Sequence, residues 1–397
     1  MMSRSTPYLA GRFFDGISSG MFMLALPWIM LSQGDMGVFV AALSLLCTLL
    51  SFFTTPFSAT LIDRHSRKSI LITIQLIQAS TALAVLIAFQ LERDTLGLLA
   101  LAQMIFWLTN DIAWSTNNAF TQENYDKSEY ARITGQQEVV MQLTTLGAGA
   151  AGIVLLTTWS MFEFSLLATL ASAIAAFSYF CTPYRRQLKP QKSQPFFSQL
   201  GASRAIFARQ PAFFVFIALS CLTYPMLSYL AKLVPVYFSE QQISGSWFAS
   251  WSLSYGVGAL ITGLLITRLL ARFSHEKAMI SSVLIMGCLL LIMSFWLIPE
   301  VLVALTVVLG FFNAFNRIAR TNKMNHEVSV HERGRIEGGL KLFSVLSQGL
   351  GFTLIAVLSG LNLTAFGFTI MGIIILLAGF TMQFLYRRQA HVHLATA

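Results

Sequence analysis

Long apolar stretches recur along the whole sequence, and short polar stretches separate them. Each apolar stretch holds about 20 residues or more, the length that a helix needs to cross a hydrocarbon layer of ~30 Å. The pattern predicts twelve membrane-spanning segments, at 9–32, 37–62, 69–91, 95–119, 133–158, 163–183, 211–238, 244–270, 277–298, 300–321, 337–360 and 364–386. We therefore expect an all-α membrane protein.

The polar connections between these segments alternate in charge. On one side, the connections SQGDMG, LERDTLG, TTWSMFE, SEQQISGS, IPE and SGLNL hold a single basic residue, Arg93. The connections on the other side, with the helix ends that flank them, hold all the other Lys and Arg residues except Lys232. The positive-inside rule then predicts a multi-pass protein of the cytoplasmic (inner) membrane, with both termini and all basic loops in the cytoplasm. The net charge of +9 is thus a topology signal and does not indicate a nucleic-acid partner.

Composition supports a membrane protein and argues against most enzyme classes. The chain is 55% hydrophobic and 11% charged, whereas soluble domains carry about 25% charged residues. Its four cysteines lack paired spacing, and no HExxH, GxSxG or GxxxxGK[ST] motif is present, so we expect no metal, no cofactor and no enzymatic activity. The first apolar stretch is too long for a signal-peptide core and is expected to remain as the first helix.

The two halves of the sequence resemble one another at an offset of 203 residues. EYARITG at 129–135 opens the fifth segment, and ERGRIEG at 332–338 opens the eleventh. The same offset places Asn110 over Asn313 and Glu138 over Lys341. We therefore predict two related six-helix bundles, at 1–183 and 211–397, joined by a basic cytoplasmic linker at 184–210 that includes a surface helix near 196–209.

A cluster of polar residues, LIDRHSRKSIL at 61–71, lies between the second and third segments. It resembles the signature G-x-x-x-D-R-x-G-R-[RK] of the major facilitator superfamily, with Ala59 and Ser66 in place of the two glycines. The resemblance implies two pseudo-symmetric six-helix bundles that transport a small molecule by alternating access, and a monomer that works without nucleic acid. Residues that match the signature would latch the cytoplasmic helix ends together.

A carboxylate at the end of the second segment can also face the positively polarised start of a neighbouring helix. The resemblance implies that this neighbour is the eleventh segment, starting near Gly338. The alternative is that the basic residues only anchor the topology. The candidate gate residues are Asp63, Arg64, Arg67, Lys68, Glu129, Arg132, Glu332 and Arg335.

Ionisable and polar residues inside the predicted spans are candidates for function, because they are costly in lipid. They fall on the first, fourth, fifth, seventh and tenth segments; in the superfamily the first, fourth, seventh and tenth line a central cavity. The candidates for proton coupling are Asp15, Asp111 and Glu138, and those for the substrate cavity are Arg12, Ser19, Trp114, Asn118, Tyr224, Ser228, Lys232, Asn313, Asn316 and Arg317.

Several of these residues also have structural explanations. Arg12 and Asp15 can form an ion pair near the membrane interface, and Lys232 can extend to the opposite interface. Asp111 can hydrogen-bond between helices, and Glu138 can belong with Lys341 to the gate. Trp114 and Tyr224 can be packing residues.

Glycines in the fifth segment, at 147, 149 and 152, loosely resemble a signature of antiporters but lack its proline. Close helix packing explains them equally well, with Gly256, Gly258 and Gly263 of the eighth segment as the facing surface.

The pattern as a whole predicts a secondary active transporter that uses an ion gradient, most simply a proton gradient. The stretch LAGRFFDGISSGMFMLALPW at 9–28 resembles the efflux branch of the superfamily, which implies an antiporter that exports an amphipathic drug or siderophore. One alternative is proton-coupled uptake of a small anionic nutrient. Another, from a different class, is a membrane sensor that does not transport.

Overall fold

Helices account for nearly all of the chain in the computed structural model, which describes residues 5–32, 37–93, 95–185, 205–243 and 245–395. Within these ranges no strand occurs. The helices are α1 (Thr6–Ser32), α2 (Gly37–Arg64), α3 (Arg67–Gln90), α4 (Leu96–Asn124), α5 (Tyr130–Thr158), α6 (Met161–Cys181), α7 (Pro211–Cys221), α8 (Thr223–Glu240), α9 (Gly245–Arg272), α10 (His275–Phe295), α11 (Pro299–Glu327), α12 (Arg333–Gly360) and α13 (Phe366–Ala395). A 3-10 turn at Lys127–Glu129 precedes α5.

The helices agree with the twelve predicted spans, with ends that differ by up to nine residues. Among the described residues, ten spans are long and apolar enough to cross a membrane. The other two predicted spans correspond to α1 and α5, which have 27 and 29 residues and exceed the length that a ~30 Å layer requires. Large apolar side chains such as Phe53, Phe177 and Leu264 are exposed on the helix surfaces, where a membrane protein meets lipid tails instead of water.

The seventh predicted span is two helices in the structure, α7 and α8, which meet at Leu222. Pro225 explains the break, because a proline has no N–H and its ring clashes with the carbonyl four residues earlier. The turn is closed instead by a bond from the Leu222 N–H to the Leu219 carbonyl. The break leaves backbone carbonyls near Ser220 for other partners.

Two compact units make up the chain. Unit 1 consists of Met1–Asp126, Val140–Gln199 and Ser329–Gly338, and unit 2 of Lys127–Val139, Leu200–Val328 and Gly339–Ala397. Each unit thus holds most of one sequence half together with a short segment from the other half, and the two exchanged segments contain the repeated motif at 129–135 and 332–338. The bundle boundaries predicted from the sequence stay a prediction, and most of the predicted linker, with most of its surface helix, lies outside the described residues; 205–209 is helical.

In unit 1, α1 packs against α4 and α6, and α3 packs against the same two helices. Their shared core contains Phe22, Phe106 and Phe164, all fully buried. In unit 2, α9 packs against α11, and α10 packs against α11 and α13.

The contact between α9 and α11 depends on two glycines. A methyl group on Gly258 would lie 2.8 Å from the backbone nitrogen of Phe311, and one on Gly310 would lie 2.9 Å from the carbonyl carbon of Tyr255. The expectation that Gly258 faces the glycines of the fifth segment is therefore wrong, because its face is occupied by α11. Gly263 does lie against α5, but at Gly135 and Val139 near the start of that helix. A methyl group on Gly147 would meet no atom within 4 Å.

We predict that Gly258→Val lowers the stability of the protein, because the added carbons meet backbone that cannot rotate away. Overpacking of this kind costs about 1–3 kcal/mol, which thermal melting of the purified protein in detergent will show. Gly349→Ala is the control, since a methyl group there meets nothing within 4 Å. Equal melting temperatures for the two variants would contradict the close α9–α11 contact.

Candidate functional site

A cavity of about 420 Å³ lies in unit 1 between α1, α4 and α5. One part of its wall is polar and another part is apolar, including an exposed indole. The lining residues are Arg12, Asp15, Gly16, Ser19, Gly20, Met23, Leu24, Asn110, Trp114, Met141, Thr144, Thr145 and Ala148.

Two glycines of α1 bring this helix close to α5. A methyl group on Gly16 would lie 2.5 Å from the hydroxyl of Thr144, and one on Gly20 would lie 3.3 Å from the methyl group of Ala148. Small residues at a spacing of four let two helices approach closely. The wall formed by α1 and α5 is therefore built from backbone and small side chains, and the cavity lies beside it.

Asp15 is the acidic residue of the cavity wall. Its carboxylate is 2% exposed and accepts a hydrogen bond of 2.8 Å from the side-chain amide of Gln75. The nearest guanidinium nitrogen of Arg12 is 3.8 Å away, one helical turn along α1. The hydroxyl of Ser19 donates to the backbone carbonyl of Asp15 at 2.8 Å. A buried carboxylate is thus held by one amide and one cation at the edge of a space that can receive a ligand.

Gln75 suits a carboxylate that changes its protonation state. The residue is fully buried on α3, and its side-chain oxygen has no hydrogen-bond partner among the described residues. An amide group carries both donors and an acceptor. A rotation of the amide would therefore let Gln75 accept a bond from a protonated Asp15, as it now donates to the ionised form.

Four of the predicted residues, Arg12, Asp15, Ser19 and Trp114, meet at this cavity. Asp111 and Asn118 are half-buried on α4 but do not belong to its wall.

In unit 2, Asn316 and Arg320 are bound to the broken helix. The amide of Asn316 donates to the Ser220 carbonyl and to the Thr223 hydroxyl, both at 3.0 Å. The guanidinium of Arg320 donates to the same carbonyl at 2.9 Å. These side chains bond the Ser220 carbonyl beside the break, whereas the helical bond that Pro225 cannot make would have gone to the Cys221 carbonyl. Asn316 is fully buried, so its geometry gives it a structural part at this break.

Glu138 and Arg317 form a buried ion pair in unit 2. A terminal nitrogen of Arg317 lies 2.5 Å from each carboxylate oxygen of Glu138, and the Glu138 side chain is 4% exposed. One turn earlier on α11, the amide of Asn313 donates to the Tyr255 hydroxyl at 2.7 Å. The predicted proton carrier Glu138 and the predicted cavity residues Asn313 and Arg317 are thus brought together by α5, α9 and α11.

The remaining predicted cavity residues lie on α8. Tyr224 and Lys232 are exposed, and Ser228 is half-buried.

Asp63 binds the start of α12 in unit 1. Its carboxylate accepts hydrogen bonds from the backbone N–H groups of Gly334 and Arg335, at 2.6 and 3.1 Å, and from the Arg335 side chain at 3.2 Å. The first N–H groups of a helix have no partner inside the helix and carry partial positive charge. Asp63 therefore caps α12 from another helix.

Arg67 connects this cap with the end of α4. It is fully buried and donates to the carbonyls of Ala119 and Val330, at 2.8 and 2.5 Å. Its guanidinium also lies 3.8 Å from Asp63 and 3.9 Å from Glu123. One cation thereby holds α2, α4 and the segment before α12.

A tyrosine completes the surroundings of Glu123. The hydroxyl of Tyr184 donates to the Glu123 carboxylate at 2.8 Å. Burial raises the pKa of Tyr184 to about 12, so this phenol keeps its proton and remains a donor throughout the physiological range.

Both departures from the family signature have a structural explanation. Ala59 packs against Gly334 and Gly338. A methyl group added to Gly334 would lie 2.5 Å from the Ala59 carbonyl oxygen, and one added to Gly338 would lie 2.8 Å from the Ala59 methyl carbon. The small residues that permit this close contact are therefore on α12. Ser66 caps α3, since its hydroxyl accepts a bond from the Ser69 N–H at 3.3 Å.

Among the other predicted gate residues, Lys68 bonds backbone carbonyls, and Arg132 and Glu129 pair with each other. Lys68 donates to the carbonyls of Phe180 and Thr182 at the end of α6. Arg132 pairs with Glu129 at 2.8 Å, three residues away on the protein surface. Arg64 and Glu332 are half-buried.

Sequence reasoning missed several residues that the structure places at these sites. Gln75 and Glu123 are the partners of Asp15 and Arg67, and Asn110, Thr144 and Thr145 line the cavity. A signal existed for Gln75, because it is a polar residue in the middle of an apolar span. Glu123 lay beyond the predicted end of the fourth segment, so it was not recognised as part of a helix.

We predict that Asp63→Ala destabilises the protein because it leaves the start of α12 uncapped. Loss of an N-terminal cap costs about 0.5–2 kcal/mol. Since 1 kcal/mol shifts the melting temperature of a large chain by about 2 °C, the expected fall in detergent is roughly 1–4 °C. Glu129→Ala is the matched control, because its ion pair is at the surface and such pairs contribute little. An unchanged melting temperature for Asp63→Ala would be evidence against the cap.

A double-mutant cycle tests the pair of Glu138 and Arg317. We expect Glu138→Gln or Arg317→Met alone to cost about 3–5 kcal/mol, because each leaves a buried charge without its partner. The double variant should recover most of this loss, and additive effects would show that the two side chains do not interact. Unfolding of the purified protein in detergent gives all four values.

Comparison with known proteins yields matches of family and fold. The family model described as Major Facilitator Superfamily matches residues 8–254 and 233–396, while a search of curated proteins returns no match. The solved structures that match include a bacterial homologue of the iron transporter ferroportin, with 15% identity, a TM-score of 0.79, and coverage of 97% of this chain and 100% of that one.

Two further structures match to a similar extent. The human organic anion transporter MFSD10 (TETRAN) has 15% identity, a TM-score of 0.76, and coverage of 95% of this chain and 98% of that one. The E. coli fucose:proton symporter FucP has 14% identity, a TM-score of 0.74, and coverage of 96% and 98%. At these identities the likeness shows the fold alone, and it confirms the predicted all-α membrane fold. With the family model matching nearly its whole length, the chain belongs to the major facilitator superfamily, a family of multi-pass membrane transporters.

Proposed function

We propose that the protein is a proton-coupled secondary transporter of a small amphipathic organic molecule. The observation that carries this proposal is the buried carboxylate of Asp15 in the wall of the unit 1 cavity. Of the three predicted proton carriers, Asp15 is the one that lines this cavity. A proton and a ligand that bind in this cavity would both interact with the Asp15 carboxylate.

The cavity suits a ligand with both polar and apolar parts. Its volume falls within the range of about 300–1,000 Å³ that is typical of small-molecule sites. Met23, Leu24 and the ring of Trp114 offer apolar contacts, while Asn110 and Thr145 offer hydrogen bonds. A small amphipathic molecule would satisfy both parts of this wall.

Coupling would arise from the triad of Arg12, Asp15 and Gln75. Burial in a medium of low dielectric favours the neutral form of a carboxylate, and the nearby cation favours the charged form. Protonation of Asp15 would release Arg12 from its counter-ion, and Gln75 could then accept a bond from the acid. The positive charge that Arg12 presents to a ligand therefore depends on whether Asp15 is protonated.

The contacts of Asp63 support a role for this residue in the cytoplasmic gate, as the resemblance to the family implies. We propose that Asp63 and Arg67 hold the start of α12, which includes Arg335, in one conformation and separate from it in another. The charge distribution of the loops supports placing this end of the protein, and both termini, in the cytoplasm of a cell whose inner membrane holds the chain.

For the direction of transport, the resemblance of the first helix to the efflux branch supports export. A second candidate is proton-coupled uptake of a small anion, which one observation favours: the Nε of Arg12 is buried without a hydrogen-bond partner in the described part of the chain. We do not propose iron as the substrate, because the described residues hold no group of three or more His, Cys, Asp or Glu that could bind a metal.

Transport assays in proteoliposomes with an imposed pH gradient test the proposal, with anionic carboxyfluorescein and cationic ethidium as the first probes. We expect Asp15→Asn to reduce gradient-driven movement by about tenfold or more, and to retain exchange of probe without a gradient, because only the proton step is lost. Glu300→Gln, at an exposed position on α11, is the control.

The outcomes of this assay separate the alternatives. Movement out of the cytoplasmic side in exchange for protons supports export, and co-movement of protons with an anion supports uptake. Gradient-driven transport that survives Asp15→Asn would remove Asp15 from the mechanism. Absence of movement for a broad set of amphipathic probes would favour a membrane sensor.

A further inference from the structure

Two histidines of unit 2 lie against each other where α10 begins and α11 ends. The ring centroids of His275 and His326 are 5.6 Å apart. On its other side His326 contacts the first residue of α5, Tyr130, edge to face at 5.2 Å between centroids. Both histidines are half-buried. No residue of this group belongs to the proposed transport site or to the gate.

The internal repeat shows what stands at the same place in unit 1. Ser66 caps α3 and Ser274 caps α10 in the same way, each accepting a bond from the N–H three residues later, so Arg67 and His275 are equivalent first residues. The offset of 203 that relates Asn110 to Asn313 relates Glu123 to His326. The histidine pair of unit 2 therefore replaces the contact of Arg67 with Glu123 in unit 1.

This replacement changes how the contact depends on pH. Arginine is charged under all physiological conditions, so the contact in unit 1 combines a permanent cation with a carboxylate. Histidine has an unperturbed pKa of about 6.5, and burial lowers the pKa of both His275 and His326. The packed pair is therefore neutral at pH 7, and as the pH falls it binds protons less readily than two separated histidines would. An attraction in unit 1 corresponds to a repulsion in unit 2 at low pH.

The charged groups around the pair do not offset this repulsion. Those that act on His275 are Glu276, Lys323 and Glu327, and those that act on His326 are Lys127 and Glu327. Lys323 already binds both acids, Glu276 directly and Glu327 at 2.6 Å. Two acids and two lysines balance one another in charge, so the surroundings leave the repulsion between two protonated rings in place.

We propose that His275 and His326 form a proton-binding site that controls how firmly the start of α5 packs in unit 2. A proton taken from solvent onto a ring nitrogen turns a neutral ring into a cation, and no other bond changes. The second proton then places two like charges within 6 Å of one another, and the rings separate. This inference does not rest on the role proposed for Asp15.

The contacts of α5 explain how the effect would spread. Its first turns meet α11 at three levels: Tyr130 against His326, Thr134 bonded to Asn322 at 2.8 Å, and Glu138 paired with Arg317. These residues are four apart and lie along one face of α5. Separation of the histidines removes the first contact and leaves the other two to hold the segment Lys127–Val139.

Hydrogen–deuterium exchange of the full-length protein in nanodiscs tests this proposal without a transport substrate. The measured quantity is the protection of peptides covering 127–139 at pH 7.5 and 5.5, corrected for the intrinsic pH dependence of exchange. We expect protection in the wild type to fall about tenfold or more at pH 5.5, since like charges at this distance repel strongly in a protein.

Two variants and a control decide whether the histidines are the cause. His326→Gln should abolish the change with pH, and the double variant H275R/H326E, which restores the residue types of unit 1, should keep protection high at both pH values. His65→Gln, at an exposed position in the loop after α2, should respond like the wild type. Equal protection of the wild type at both pH values, or an acid response that persists in H326Q, would overturn the proposal.

Discussion

A polar group inside a membrane protein must find its partner within the protein, because lipid tails offer none. The hydrogen bonds and ion pairs described above follow from this constraint. Asp15 is held by Gln75, Glu138 by Arg317, and the carbonyl left free by the break at Leu222 by Asn316 and Arg320. Because each partner is on a different helix, satisfying the polar groups also fixes how the helices of a unit pack.

The same constraint explains why two kinds of polar site differ in their capacity to move. Asn316 bonds the Ser220 carbonyl, the Ser220 hydroxyl and the Thr223 hydroxyl at one backbone break, and any displacement would break these three bonds together. Asp15, in contrast, lies beside a cavity and a glutamine that can serve it in two protonation states. A saturated network fixes a structure, whereas a network with a spare acceptor can accommodate a change of charge.

The repeat gives the two units a common plan with different chemistry. In unit 1 the start of α12 packs near the end of α4, and in unit 2 the start of α5 packs near the end of α11. Each of these helix starts comes from the other half of the sequence. Unit 1 fixes that start with Asp63 and Arg67, whose carboxylate and guanidinium bond to backbone groups. Counted three residues back from the capping serines Ser66 and Ser274, unit 2 has Ala271 where unit 1 has Asp63. Unit 2 also has histidines at the positions of Arg67 and Glu123.

The amount that could be predicted from the sequence depended on how local each signal was. The spans and the family fold were predictable, because the hydropathy of a stretch shows whether it can lie in lipid and its length shows whether it can cross the membrane. Asp15 and Asp63 stood out for the same reason, as acids at positions where an acid is costly. Their partners did not, since the contact of Asp63 with Gly334 joins residues 271 positions apart. The expected glycine contact of Gly258 was wrong because glycine content shows that a helix is approached closely but not by which neighbour. The break at Leu222 was predictable in principle from Pro225, but the apolar character of the span concealed it.

The contact between Ala59 and α12 bears on how family signatures are used. A signature records the residues of one chain segment, whereas the physical requirement is a short distance between two backbones. Here the segment has gained a methyl group and the opposite helix supplies Gly334 and Gly338. The requirement is met by the two surfaces together: α2 carries the methyl group of Ala59, and α12 carries glycines, which have no side chain, opposite it. A search that scores each position of the loop separately counts this chain as a departure, and one that scores both surfaces of the contact together would count it as a match.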